Sequence, residues 1–156
     1  MKRFLPLVLF VVLAAAAAFP SFAMDRIYQG HFASGNAVWT VENGRIYRGH
    51  FASGTAEYAF ENGRIYAGHF ASGSAIFAYD DSRLYRGHFA SGSAEYAFDG
   101  KRIYRGHFAS GTAAWAYENG RLYRGHFASG SAIYAYGTSG EIPDGVLAFL
   151  ASQVLD

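Results

Sequence analysis

The ten residues Arg26-Ile27-Tyr28-Gln29-Gly30-His31-Phe32-Ala33-Ser34-Gly35 return, with small changes, starting at Arg45, Arg64, Arg83, Arg102 and Arg121. The spacing is 19 residues each time, giving six units between Arg26 and Ser139. A fixed period of this length means one supersecondary unit used repeatedly, and a single copy cannot bury its own apolar face. Between each Ala-Ser-Gly triplet and the next Arg lies a second aromatic stretch, such as Thr55-Ala56-Glu57-Tyr58-Ala59-Phe60-Glu61. Both stretches are about seven residues long and are separated by glycine-bearing turns. The expectation is an all-β chain of six tandem hairpins, twelve short antiparallel strands.

Asn43-Gly44, Asn62-Gly63 and Asn119-Gly120 are signals for two-residue type I′ turns, in which both central positions need positive φ. Asp81-Ser82 and Gly100-Lys101 hold the same slot. An acid precedes and an arginine follows each turn: Glu42/Arg45, Glu61/Arg64, Asp80/Arg83, Asp99/Arg102 and Glu118/Arg121. Placed opposite one another, these predict cross-strand ion pairs of about 0.2–1 kcal/mol. Ala-Ser-Gly reads as a three-residue loop with its glycine left-handed.

Strict alternation then gives two faces. In the second unit one face carries Ile46, Arg48, His50, Ala56, Tyr58 and Phe60, with Arg48 across from Tyr58 and, in the fifth unit, Arg105 across from Trp115. The other face carries Arg45, Tyr47, Gly49, Phe51, Thr55, Glu57, Ala59 and Glu61.

Two segments flank the repeats. Residues 1–23 have Lys2 and Arg3, an uncharged run from Phe4 to Phe19, and Pro20-Ser21-Phe22-Ala23, the pattern of a secretory signal peptide cleaved after Ala23. A retained anchor is the weaker reading, because the run is shorter than the ~20 residues a span needs. Localisation is therefore expected to be secreted or periplasmic. Losing Lys2 and Arg3 from thirteen basic residues leaves eleven against twelve acidic ones, so the mature chain carries no bulk charge for nucleic acid. The tail, residues 140–156, reads as a short helix opened by Pro143 and apolar nearly all round, which implies burial on most sides. The repeats occupy 24–139. A lumen holding a helix favours the small-residue face inward, where Glu57 and Glu95 would need partners.

The unit RIYRGHFASGTAEYAFENG, repeated in tandem and followed by GEIPDGVLAFL, resembles the β-flower repeat proteins of bacteria. Those are radial hairpin arrays related in shape to the tubby C-terminal domain, a twelve-stranded barrel around a hydrophobic helix. The resemblance implies a closed, pseudo-sixfold barrel or flower with the tail helix in its lumen. It brings no activity that could be placed on particular residues. Tyr47-x-Gly49-x-Phe51-x-x-Gly54 followed by Tyr58-x-Phe60-x-x-Gly63 is also similar to a shortened MORN repeat, which implies an open meander serving as a membrane-linked scaffold.

The candidate ligand-binding residues are the six histidines, His31, His50, His69, His88, His107 and His126, and four arginines, Arg48, Arg86, Arg105 and Arg124. On one face they would form a cationic, aromatic girdle for an anionic lipid headgroup or glycan, strengthened in mild acid as imidazole titrates near ~6.5. Neighbouring histidines stand two strands apart, ~9–10 Å, which is too far to share a metal, so no metal or cofactor is expected. The chain has no cysteine, and Ser34 and its equivalents lack a nucleophile-elbow context. Glu57 and Glu95 lie two repeats apart with Ile76 between, so no catalytic carboxylate pair is implied. The reading is a non-enzymatic binding module, with peripheral membrane association as one outcome. The alternative is a structural scaffold with no small ligand.

Overall fold

A computed structural model describes residues 24–137 and 142–153. The signal-peptide reading of 1–23 and the ends of the tail lie outside the described residues. Twelve strands form one sheet: β1 (Asp25–Gln29), β2 (Trp39–Glu42), β3 (Arg45–Arg48), β4 (Tyr58–Glu61), β5 (Arg64–Ala67), β6 (Phe77–Asp80), β7 (Arg83–Arg86), β8 (Tyr96–Phe98), β9 (Arg102–Arg105), β10 (Trp115–Glu118), β11 (Arg121–Arg124) and β12 (Tyr134–Gly137). Each strand pairs antiparallel with its chain neighbours, and β1 pairs with β12, so the barrel is closed. An open meander is thereby excluded.

The turns set this register. Asn43 and Gly44 sit at φ 49° and 71°, the I′ pair that aligns Glu42 with Arg45. Glu61/Arg64, Asp80/Arg83 and Glu118/Arg121 are aligned in the same way. The expected ion pairs do not follow from that alignment. Arg45 Nε instead donates to the carbonyl of His69 at 3.1 Å, and all six leading arginines make the equivalent bond. Of the expected pairs, only Asp99 and Arg102 are in contact among the described residues, at 4.0 Å, while Arg83 pairs with Asp81 inside its turn at 2.8 Å.

The strands are shorter than expected, three to five residues. Gly49 and its equivalents, at φ 91–96°, end the extended run right after Arg48. Nine residues, 49–57, then leave the sheet and rejoin it at Tyr58. This loop lies against the outer wall: Ala71 and Ala75 pack on Tyr66 and Ala59, and Ala128 and Ala132 on Tyr123 and Ala116.

That placement inverts the expected faces. The bulky residues line the lumen, where Ile46, Ile65, Leu84, Ile103 and Leu122 are at most 1% exposed. The small residues face outward, since a loop can only lie close to the wall over alanine and glycine. The helix α1 (Asp144–Ser152) shares one core cluster with residues from all twelve strands, so it is inside the barrel. It enters at the hairpin-turn end, with Gly145 against Tyr79, and Phe149 meets the rings of Tyr58 (4.8 Å) and Phe77 (5.6 Å) deeper in. Its C-terminal end therefore points to the opposite mouth, where the loops begin. A twelve-strand lumen is wider than the ~10 Å of a helix, and the inward aromatic rings fill the difference.

Candidate functional site: the outer spokes and the mouth

The positive φ at Gly49 turns His50 out of the lumen-facing series, so the histidines and the four arginines do not share a face. His50 lies outside, edge-on to Tyr28 of the preceding repeat at 6.2 Å, and its Nδ1 accepts the Ala37 amide at 3.1 Å. The same bond joins Ala56 to His69, Ala75 to His88, Ala94 to His107, Ala113 to His126 and Ala132 to His31, at 3.0–3.2 Å. With its carbonyl held by Arg26 and its ring by Ala37, each histidine staples its loop to the neighbouring repeat. The titrating girdle expected of these rings is not their arrangement.

Beyond each histidine comes a phenylalanine, with ring centroids 4.8–5.0 Å apart. The result is six spokes running from wall to solvent, Tyr28–His50–Phe51 and its five copies. The outermost rings, Phe32, Phe51, Phe70, Phe89, Phe108 and Phe127, are 67–69% exposed.

The arginines mark the mouth. Arg48 is aligned with Trp39, Arg86 with Phe77, Arg105 with Tyr96 and Arg124 with Trp115, so each faces the aromatic of the preceding repeat, one hairpin away from the expected partner. Arg48 lies over the Trp39 ring at 4.6 Å, and Arg124 over Trp115 at 5.7 Å. Glu57 and Glu95 find their partners here, because the loop returns beside the strand it left. Arg48 Nε–Glu57 Oε1 is 2.6 Å and Arg86 Nε–Glu95 Oε1 is 2.5 Å, each with a second guanidinium contact. This hydrogen bond and the Glu57 charge raise the Arg48 pKa. In the fifth and sixth repeats the acidic position holds Ala114 and Ile133. Arg105 and Arg124 accordingly have no ion pair among the described residues. Among the described residues, the mouth arginines are thus neutralised by a carboxylate at Arg48 and Arg86 and not at Arg105 and Arg124.

The match that decides the family covers residues 27–150, against the model of the 6-fold beta flower protein. The chain belongs to the six-fold beta flower family. No curated protein and no solved structure matches it. The beta flower barrel gives the family's sixfold shape a simple physical meaning, since each petal is one loop, 49–57 or its equivalent, held by its neighbour's arginine and alanine amide. Among the described residues no three His, Asp or Glu side chains converge as a metal site would need. The aromatic spokes were not legible in the sequence as a set. Their one signal was a phenylalanine identical in every copy at a position with no apolar partner of its own.

Proposed function

We propose that this beta flower is a non-enzymatic, secreted or periplasmic binding module that docks on an anionic surface through its mouth. The observation that carries this reading is the pair Arg105 and Arg124. Both are exposed, sit on adjacent hairpins, and lack the carboxylate that neutralises Arg48 and Arg86. Two guanidinium groups about one hairpin apart suit a surface with repeated anionic groups, such as lipid phosphates, better than one small ligand. The strands support a peripheral position. At three to five residues they are shorter than the ~9–11 needed to cross a bilayer.

Vesicle co-sedimentation tests the reading. Wild type is expected to sediment with anionic and not neutral vesicles, with binding falling as salt is raised from about 0.05 to 0.5 M. Arg105→Gln with Arg124→Gln should abolish it. Arg48→Gln with Glu57→Gln, which removes an already neutral pair, should leave it intact. Equal binding by both double variants overturns the proposal, and no binding by wild type leaves the scaffold reading in its place.

A further inference from the structure

The six copies within one chain show which exposed positions have been free to change. The exposed fourth position reads Gln29, Arg48, Ala67, Arg86, Arg105, Arg124, and the half-buried thirteenth reads Val38, Glu57, Ile76, Glu95, Ala114, Ile133. The tyrosine, glycine, histidine and leading arginine are identical in all copies, and burial, positive φ and the staple bonds account for each of them. Phenylalanine is identical too, as is the Ala-Ser-Gly loop after it, and it is the one large apolar residue exposed in every copy, at 67–69%. Single exposed apolar residues are ordinary, but six equivalent rings present roughly 800 Å² of aromatic surface, about one partner's share of a standard interface.

The surroundings of these rings select the kind of partner. Phe127 borders a groove of about 270 Å³ shared with Lys101, Tyr117 and Glu118. Neither Lys101 nor Glu118 has an ion pair among the described residues. By the 19-residue register, Glu42, Glu61 and Asp80 hold the Glu118 position beside Phe51, Phe70 and Phe89. Carboxylates at the rim repel an anionic bilayer. The rings are at least two strands apart, ~9–10 Å at the wall and more at the rim, so they form separate contacts and not one apolar patch. An exposed aromatic face beside a carboxylate and an ammonium fits a pyranose ring, whose C–H face stacks while its hydroxyls donate to Glu118 and accept from Lys101.

We propose that the outer spokes bind a neutral polysaccharide through their six phenylalanines, with Phe127 the fullest subsite because it alone has both a carboxylate, Glu118, and a lysine, Lys101, beside it. Each contact is weak alone. A chain or matrix of repeating sugars engages several and gains by avidity, which can exceed a single contact by roughly 10²–10⁴-fold. This site is distinct from the arginine mouth, so either proposal can fail without the other.

The test is retention of the purified protein on chitin and on cellulose, with thermal melts run on every variant. Wild type is expected to be retained by at least one polymer, to stay bound in 1 M NaCl, and to be indifferent to Arg105→Gln with Arg124→Gln. Replacing all six phenylalanines by serine should lower affinity about a hundredfold or more. Phe127→Ser with Glu118→Gln, a milder change that keeps the fold testable, should lower it several-fold. No retention on either polymer overturns the proposal, as does undiminished retention by a serine variant whose melt is unchanged. Self-association of wild type that the serine variants abolish would reassign the rings to a second copy of the chain and also overturn it.

Discussion

The amide of Ala132 donates to Nδ1 of His31 across 101 residues of chain, at 3.2 Å. Ala75 and His88, only 13 residues apart, make the same bond at 3.0 Å. The first and last petals are thus joined as any two neighbours are. His31→Phe and His88→Phe each leave an alanine amide in the neighbouring petal without its acceptor and are expected to cost a similar amount, about 1–3 kcal/mol. Chemical denaturation of both variants checks this. A much smaller loss for His31→Phe would mean that the ring is not closed in solution.

The two kinds of hairpin glycine should differ. A Cβ at Gly44 would lie 2.7 Å from the Phe60 carbonyl oxygen, whereas at Gly100 it would meet nothing within 4 Å. Both have positive φ, 71° and 91°. Gly100→Ala should therefore cost only the backbone strain, about 1–2 kcal/mol, and Gly44→Ala clearly more. Equal midpoints in urea would show that the neighbouring strand yields freely.

Helix α1 should be indispensable. Phe149 is fully buried between Tyr58 and Phe77, and Phe149→Ala is expected to cost about 3–5 kcal/mol. Deleting residues 142–156 should abolish a cooperative melt, because apolar side chains from every strand would face an empty lumen. Calorimetry of the two variants decides it. A truncated chain melting like wild type would place the helix outside the cooperative unit.

What the sequence made legible was local. Asn-Gly and its substitutes named every hairpin turn, and acid and arginine marked the register, because those features depend on residues two or three apart. What it concealed depended on contacts between repeats. Alternation defines two faces without saying which is inside, and Ala59 looked like lumen packing until the loop was found lying on it. Gly49 hid the position of His50, since a single left-handed residue breaks the alternation for the loop residues that follow it. Arg45 was expected to take the nearby Glu42 and instead takes a carbonyl 24 residues on. Arg48–Glu57 was missed for the same reason, as strict alternation assigns the two to opposite faces.

Acid should act through Asp99. Burial pushes its pKa up, but the amides of Lys101 and Arg102, the Tyr104 hydroxyl and the Arg102 charge outweigh that and hold it below its ordinary 3.8. A carboxylate depressed in the folded state stabilises fully above its unfolded pKa, and that contribution is lost as pH falls through the folded one. Asp99→Asn should therefore lower stability at pH 7 and flatten its decline below about pH 4. Melting curves from pH 7 to 2.5 check this, and parallel declines for both proteins would sink the assignment.

The histidines are structural staples, each accepting an alanine amide at Nδ1, and the proposed recognition sites are the phenylalanine spokes and the arginine mouth. The most direct measurement is nitrogen NMR of the labelled protein at pH 7.5, reading the tautomer of each ring and the coupling carried across its hydrogen bond. An imidazole accepting at Nδ1 holds its proton on Nε2. Six rings are expected in that single tautomer, each coupled to an alanine amide, with His31 linked to Ala132. Rings exchanging between tautomers, with no coupling to any amide, would contradict it and return the histidines to the list of candidate ligands.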